Sequence, residues 1–368
     1  MKRAIIIIAC LALLLAGCSF ASERMETDEI RAVWLSYLEL TQPPGGVSSR
    51  AFRRRYNALF REMARFGICT VFVHVQPFSD AIWPSEVAPW SQILTGERGQ
   101  CPGFDPLAIL VRLARRHNLQ LHAWFNLLRV EFDYFRNPAV PEDHVLLLNS
   151  VREVLQNYNV AGIHIDDYFY PTNDPSFDAA QFAQYMADGG TLELYDWRRE
   201  VVNTLVNSLY RTVKSVNPQA IVSISPTGNL IYNYGTLFAD VALWMAQPGF
   251  ADWIVPQIYY GFAHERLPFK EILNEWVALP RHEHLILLIG LAAYKAGQED
   301  DYAGSGRDEW RDGGDILAQQ MQLLRSTKGV QGFALFSAQI LFGAPFTEIE
   351  NQQRKKLQIL TMEQKKTK

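Results

Sequence analysis

The sequence predicts an α/β fold, more specifically a (β/α)8 TIM barrel with extended βα loops. Eight short apolar segments with strand character alternate with amphipathic helical segments, an order that is typical of a parallel sheet. Eight strands favour closure into a barrel over an open doubly wound sheet, and no Gly-rich phosphate-binding motif follows the first strand. The predicted strands are residues 30–37, 69–76, 119–126, 161–167, 220–225, 253–259, 285–291 and 331–337.

Helical patterns separate these strands, and the connections between them differ in length. The loops that follow strands two, three, four, five and seven are long, at residues 77–104, 127–148, 168–193, 226–237 and 292–311. Barrels build their sites from the loops at the carboxyl ends of their strands, so a site is expected on that face. The predicted helices are residues 49–66, 106–117, 149–158, 194–216, 238–248, 268–278 and 312–326.

The first 17 residues have the features of a bacterial export signal. Lys2 and Arg3 precede an apolar run that is shorter than the roughly 20 residues of a membrane-spanning helix. The run ends in LAGC (15–18), which resembles the lipobox of bacterial lipoproteins, so Cys18 is the expected lipid-bearing residue. The sequence therefore divides into a signal peptide (1–17), a polar tether (18–28), the barrel (29–346) and a charged tail (347–368).

The residue after the lipobox cysteine predicts the location of the protein. Ser19, rather than an aspartate, follows Cys18, so we expect anchoring in the outer membrane through the lipid, with the barrel facing the periplasm. Cleavage by the ordinary signal peptidase near Ala21 is the alternative and would leave a soluble periplasmic protein.

Charge and cysteine usage limit the partners and the covalent cross-links. The formal net charge is −4 and no basic run occurs outside the tail, so the charge pattern does not favour nucleic-acid binding. We also expect the protein to be a monomer. Cys69 opens a predicted strand, whereas Cys101 lies beyond the far end of that strand. A six-residue strand spans about 20 Å, which exceeds the ~7 Å limit between the Cα atoms of a disulfide. We therefore expect two unpaired thiols.

The segment NVAGIHIDDYFYP (159–171) places two adjacent carboxyls, Asp166 and Asp167, at the end of the fourth predicted strand. Acidic residues at the end of a buried strand are costly unless they are paired, hydrogen-bonded or used in a site. Because side chains alternate along a strand, His164 and Asp166 should share a face, while Tyr168 and its aromatic neighbours could flank a sugar ring. The structural alternative is an acidic pair that caps the next helix or pairs with an arginine.

The same alternation places polar side chains on one face of five strands, where barrel interiors are usually apolar. Together these residues predict a ligand site at the barrel mouth, although each alone is better explained by a structural polar network. Aromatic residues and two cations, Arg129 and Lys295, occupy the adjoining loops. The candidate binding residues of this face and its adjoining loops are His74, Gln76, His122, Trp124, Asn126, Arg129, His164, Tyr168, Gln257, Tyr259, Tyr294 and Lys295.

Three histidines on adjacent strands raise the question of a metal. His74, His122 and His164 could converge with Asp166, but each lies inside its strand, below the open mouth, and no HxH or HExxH pair occurs. A metal-dependent hydrolase is therefore a minor alternative, and we predict neither a metal nor a cofactor.

A set of ordered motifs recurs along nearly the whole mature chain. These motifs include RAVWL (31–35), VFVHVQP (71–77), GIHIDDYFYP (162–171), DWIVPQIYYG (252–261), GLAAYK (290–295) and GFALFS (332–337). Together they resemble the bacterial glycosyl-hydrolase-like family ten, of the divisome-associated lipoprotein type. The resemblance implies a barrel that cleaves glycosidic bonds in peptidoglycan strands, with peptide-free (denuded) strands as the expected substrate and a possible location at the division site.

Glycoside hydrolysis usually requires two carboxyl groups. We expect Asp166 or Asp167 to be the general acid, with His164 orienting it and with the other aspartate or Glu131 as the second carboxylate. An N-acetyl group of the substrate could instead act as the nucleophile, and the pair would then polarise it. The alternative from another class is a septal lipoprotein that binds glycan through the aromatic groove without cleaving it.

Overall fold

The computed structural model describes residues 29–313 and 315–342. Eight parallel strands form a closed barrel in chain order, and pairing of the first strand with the eighth completes it. This confirms the predicted (β/α)8 TIM barrel. The signal peptide, the tether with Cys18 and the charged tail lie outside the described residues. The strands are β1 (Ile30–Leu35), β2 (Thr70–Gln76), β3 (Gln120–Phe125), β4 (Gly162–Ile165), β5 (Ile221–Ile224), β6 (Trp253–Ile254), β7 (Ile286–Leu291) and β8 (Gly332–Leu335).

The helices surround the barrel, and short helices also occur in the loops. Within the residues described, no helix is long and apolar enough to cross a membrane. The helices are α1 (Tyr37–Leu40), α2 (Ser49–Arg65), α3 (Pro106–Arg116), α4 (Pro141–Asn157), α5 (Ala179–Ala187), α6 (Leu194–Val216), α7 (Leu230–Gly235), α8 (Val241–Ala246), α9 (Phe269–Ala278), α10 (Glu309–Asp312), α11 (Ile316–Ser326) and α12 (Ala338–Phe342).

Every predicted strand exists, but most end earlier than the sequence pattern indicated. β1 stops at Leu35 because Ser36 caps α1, with the Glu39 side chain accepting from the Ser36 backbone N–H in a capping box. β6 has two residues, since Pro256 cannot donate a ladder hydrogen bond. The apolar pattern therefore located the strands, while local capping and proline set their ends.

Helix α4 begins eight residues before the predicted start at residue 149. Pro141 occupies the first turn, and Glu142 and Asp143 follow it, where the positive end of the helix dipole favours acids. These are start signals that the amphipathic pattern alone does not capture. The loop after β3 is correspondingly shorter than the predicted segment 127–148.

Two separate apolar clusters hold the barrel together. The larger one packs the outer faces of the strands against the helices, and the smaller one fills the barrel interior. Gly290 in β7 makes room for one of the three interior tryptophans, because a Cβ there would lie 3.1 Å from the Trp34 ring. The interior cluster consists of Ala32, Trp34, Phe72, Trp124, Trp253, Val255, Leu288 and Ala334.

The pairing of β2 with β3 contains a register shift between His74 and Gln76. A shift of this kind reverses the facing of the residues beyond it. Gln76 Nε2 consequently donates to Ser150 Oγ of α4, 3.2 Å away, while His74 faces the barrel mouth. The expectation that His74 and Gln76 share a face is therefore wrong.

Glu39 joins the first and last strands of the barrel. Its carboxylate is buried and accepts hydrogen bonds from Ser36 N and Ser36 Oγ after β1. It also accepts from Ser337 Oγ and from Gln339 N, 2.9 Å away, after β8. This acid is thus fully used in closing the barrel.

Both thiols of the described region are unpaired, as predicted. Cys69 Sγ accepts a hydrogen bond from Arg31 N at 3.3 Å, and Cys101 is exposed.

Candidate active site

A cavity of about 270 Å³ opens at the carboxyl ends of the strands. All eight strands or the residues just beyond them contribute to its wall, so the barrel as a whole, and no single loop, shapes it. Its lining consists of Trp34, Ser36, Tyr37, Leu38, His74, Trp124, Arg129, Asp166, Asp167, Tyr168, Ser225, Gln257, Tyr259, Tyr294 and Phe336.

Both aspartates of the β4 end face this cavity. Asp166 is 4% exposed, and Asp167 is half-buried where the chain turns away from the strand. Burial, followed by the negative charge of Asp167, raises the pKa of Asp166 well above its ordinary value. Burial also raises the pKa of Asp167. The pair therefore keeps a proton to higher pH than ordinary carboxyls, with the proton held most firmly at Asp166.

Three buried polar atoms of the cavity wall have no hydrogen-bond partner within the described region: Asp166 Oδ1, Trp124 Nε1 and His74 Nδ1. Buried polar groups without partners are uncommon in folded proteins because each costs about 1–3 kcal/mol. The residues that carry these atoms line one cavity. The Asp166 carboxyl can accept or donate, the Trp124 indole can only donate, and the His74 ring nitrogen can do either, depending on its tautomer. Trp124 lies close enough to Asp166 to oppose the rise in the pKa of that carboxyl.

Arg129 lies beside the acidic pair in an aromatic cage and is 5% exposed. Its guanidinium is 4.8 Å from the Tyr168 ring centre and also faces Phe78, Phe132 and Phe135. It donates to Tyr168 Oη at 3.1 Å and to two backbone carbonyls. Its positive charge opposes the rise in the pKa of both aspartates. Arg129 thus holds Tyr168 and balances charge at the pair.

The remaining predicted contacts divide into cavity wall and support. Trp124 stacks on His74 with ring centres 3.6 Å apart, and Tyr259 and Tyr294 meet edge-to-face across the opposite wall. Gln257 lines the cavity and donates to Ser225 O at 2.8 Å. Asn126 lies behind the wall, where its Oδ1 is 3.0 Å from His74 Nε2.

His122 and His164 lie in the barrel interior rather than in the cavity wall. Trp34 Nε1 donates to His164 Nε2 at 2.9 Å, so the neutral ring carries its proton on Nδ1, 2.9 Å from Ser223 Oγ. Burial lowers the pKa of His164 well below its ordinary value and that of His122 to about 3. The expectation that His164 orients the acidic pair is not supported, since Trp34 and two serines occupy its nitrogens.

Three other candidates also lie away from the central cavity. Gln76 faces α4, and Lys295 Nζ contacts Asp300 at 2.6 Å and Tyr259 O at 2.8 Å. Glu131 is exposed and lines a neighbouring cavity. The structure thus pairs Asp166 with Asp167 and does not bring Glu131 to them.

The three histidines do not form a ligand set. His164 has both nitrogens engaged by Trp34 and Ser223, and His74 faces the mouth while His122 lies below it. Across residues 29–313 and 315–342, no three His, Cys, Asp or Glu side chains are grouped so that they could hold a metal ion.

Sequence reasoning missed the wall contributed by the first and last strands. Tyr37, Leu38 and Phe336 line the cavity, and Phe336 lies about 6.0 Å, ring to ring, from both Trp34 and Tyr294. The extension of strand one to residue 37 hid the turn at Ser36 that directs Tyr37 over the mouth. The serine followed three residues later by Glu39 was the available signal.

Two further cavities adjoin the central one. The first shares Asp167 and Tyr168 with it and is lined by aromatic residues that include Tyr170 and Tyr232. The second shares Tyr37 and lies between the loops after β2 and β3. The three cavities form a groove across the barrel mouth with the acidic pair near its middle.

Asp167→Asn is expected to lower the pKa of Asp166. The charge of Asp167 is the largest cause of that raised pKa after burial, and asparagine removes it. Asp166→Asn should have a smaller effect on Asp167, whose pKa is raised by burial alone. A ¹³C NMR titration of the carboxyl groups measures both values, with the exposed Asp133→Asn as the matched control. An unchanged pKa of Asp166 in the Asp167 variant would contradict the coupling.

A parallel barrel with two proton-retaining carboxyls among aromatic and hydrogen-bonding side chains has the architecture of a barrel glycoside hydrolase. The family model described as Glycosyl hydrolase-like 10 matches residues 29–135 and 133–304, and the chain belongs to this family. The predicted family and the predicted glycoside hydrolase class are thereby confirmed.

Curated relatives agree with this assignment, and a solved structure shares the fold. The chain is 30% identical to "Glycosyl hydrolase YngK" of Bacillus subtilis, over 86% of this chain and 70% of that protein. It is 28% identical to "Glycosyl hydrolase DigH" of Escherichia coli K12, over 86% of this chain and 84% of that protein. The PgaB (BpsB) glycoside hydrolase domain from Bordetella bronchiseptica shares the fold, with a TM-score of 0.60 at 12% identity, over 91% of this chain and 98% of that one.

Proposed function

We propose that this glycoside hydrolase cleaves the glycan strands of peptidoglycan, with peptide-free strands as the substrate, by carboxyl acid/base chemistry at Asp166 and Asp167. The observation that carries the mechanism is the acidic pair itself: two adjacent carboxyls with raised pKa values in a cavity lined by aromatic and hydrogen-bonding side chains. Asp166, which holds the proton most firmly, donates it to the leaving glycosidic oxygen.

Asp167 has a complementary role in this proposal. It is half-buried, and it lines both the central cavity and the adjoining aromatic one. A carboxylate at the junction of two sugar sites lies near the bond that joins the two rings. In its ionised form it stabilises the positive charge that develops on the sugar, or it polarises an N-acetyl group that attacks from within the substrate.

The polymer is proposed from location and groove shape. The export signal and the lipobox cysteine indicate a protein on the periplasmic side, where peptidoglycan is the glycan polymer at hand. The open groove of three adjoining cavities suits a chain of sugar rings. The family resemblance of the sequence motifs implies the same substrate.

A digestion assay tests the proposal. The mature protein is incubated with intact peptidoglycan, with the same material after amidase removal of the stem peptides, and with chitin oligosaccharides. Mass spectrometry identifies the released fragments and their reducing ends. We expect fragments from peptide-free strands and few from intact material. Equal release from both, or release from chitin oligosaccharides alone, would overturn the assignment of the substrate.

We also propose that the lipid on Cys18 anchors the protein in the outer membrane, where it acts at the division site. Cys18→Ser is expected to move the protein from the membrane fraction to the soluble periplasmic fraction, because the acyl chains supply the membrane affinity. Ser19→Asp is the matched variant and should leave the protein membrane-bound but in the inner membrane. Unchanged fractionation of Cys18→Ser would contradict the anchor.

A further inference from the structure

The cavity between the loops after β2 and β3 differs from the other two cavities of the groove. It is the largest, at about 670 Å³, and it shares Tyr37 with the central cavity. Its wall carries a cation, Arg98, and an acid, Glu131, from the two different loops. This cavity therefore has room for a ligand larger than a plain sugar ring and offers it two charged partners.

Arg98 is exposed, and its guanidinium is positioned by hydrogen bonds to two backbone carbonyls. Its Nη1 donates to Phe78 O at 3.1 Å and its Nη2 donates to Ser79 O at 3.2 Å. An arginine has five N–H groups, so three of them remain for a ligand. No acid lies within ion-pair distance of Arg98 in the part of the chain that the structure describes. The charge of Arg98 acts on one carboxyl, that of Asp80, which is fully buried. Burial raises the pKa of Asp80, and the Arg98 charge partly opposes that rise.

The loop that carries these carbonyls contacts the loop after β3 through Ser79. Ser79 has a φ of 51°, which is uncommon for a residue other than glycine. Its Oγ donates to Arg129 O at 3.0 Å and so ties the loop after β2 to the loop after β3. The position of the Arg98 guanidinium is thus set relative to the central cavity, where Arg129 contacts Tyr168.

A guanidinium with a free edge binds a carboxylate better than it binds neutral oxygens, because two charge-assisted hydrogen bonds form together. In peptidoglycan every second ring, the muramyl sugar, carries a lactyl ether that ends in a carboxyl group. A stem peptide converts this group into a neutral amide, whereas a peptide-free strand presents it as a free carboxylate. Glu131, on the facing loop, can accept from the N-acetyl N–H or a hydroxyl of the same ring.

We propose that Arg98 binds the free lactyl carboxylate of a muramyl residue in the cavity beside the reacting one, and that this contact selects peptide-free strands. The inference rests on the proposed function and deepens it, because it names the group of the substrate that is recognised. It also sets the register of the strand, since alternate rings carry the carboxylate and the ring in the central cavity is then the one without it.

The test compares two forms of the same peptide-free strands, one with free lactyl carboxylates and one in which carbodiimide and ammonia have converted them to amides. The wild-type mature protein is expected to lose about 10- to 100-fold in kcat/KM on the amidated strands, mainly through KM. Arg98→Gln should show the same loss on the carboxylate strands and no further loss on amidation. Arg98→Lys keeps the charge and should retain part of the discrimination.

Arg112→Gln is the matched control, because Arg112 is exposed on α3, away from the groove. A purely structural role of Arg98 in its loop would lower activity on both substrates equally and leave the wild-type ratio intact. That outcome, or wild-type protein that cleaves both strand forms equally, would overturn the inference and leave the proposed function standing. Failure to cleave either form would overturn the proposed substrate and the inference with it.

Discussion

Asp166→Asn is expected to lower kcat on the glycan substrate by about 10²- to 10⁴-fold, the usual contribution of a general acid. Asparagine keeps the shape of the side chain but has no acidic proton to donate to the leaving oxygen. Asp167→Asn should cause a loss of the same order, because the charge that faces both cavities disappears. The double variant should lose little more than the worse single one, since residues that act as a unit are not additive.

Steady-state kinetics with sedimentation on insoluble glycan separates catalysis from binding. Both variants should still bind glycan, because the aromatic walls remain. Asp133→Asn, an exposed aspartate in the loop after β3, is the matched control and should retain wild-type kinetics. Variants of the pair that keep more than about a tenth of wild-type kcat would remove the pair from the reaction.

Asp166→Asn is also expected to increase the stability of the folded protein. The pKa of Asp166 is higher in the folded protein than in the unfolded chain, so the folded state is disfavoured as pH rises from below the unfolded value through the folded one. At neutral pH this penalty is present, and Asp166→Asn removes it. The variant should therefore have a lower kcat and yet be more stable than the wild type, by about 0.5–2 kcal/mol, as is common when a destabilising active-site residue is replaced.

Trp34→Ala is expected to have the largest effect on stability, a loss of about 3–5 kcal/mol in the free energy of unfolding. Trp34 is 1% exposed at the centre of the interior cluster, and its removal leaves a cavity between the strands. It also leaves His164 Nε2 without its indole donor. Denaturant titration with a constant m-value measures the change.

Trp34→Phe separates the two contributions. It keeps an aromatic ring beside Phe72, whose ring centre lies 5.3 Å away, and removes the N–H that His164 accepts. A loss of about 0.5–1.5 kcal/mol is expected, the net contribution of one buried hydrogen bond, because Ser225 Oγ still lies 3.1 Å from His164 Nε2. A Trp34→Ala variant as stable as the wild type would show that the barrel interior tolerates a void, contrary to its close packing.

The chain order of strands and helices, and with it the barrel, was predictable because apolar periodicity is read over a whole segment and does not depend on any single residue. Asp166 and Asp167 were identifiable because two carboxyls at the end of a buried strand are costly without a use. The interior role of His164 was not predictable, since its partners Trp34 and Ser223 are 130 and 59 residues away along the chain. The facing of Gln76 was not predictable for a local reason, the register shift that turns it towards α4.

By itself, the sequence determined the eight-fold alternation, the acidic pair and the two unpaired thiols, because each follows from short-range pattern or from the length of a strand. Only the tertiary structure decided which polar residues reach the mouth and which stay inside. That choice depends on register between neighbouring strands and on where each strand ends, as at Ser36 and Pro256. Each of these strand ends depends on a single residue that caps a helix or cannot donate a hydrogen bond. The side chains that it brings together come from distant parts of the sequence and meet only in the closed barrel.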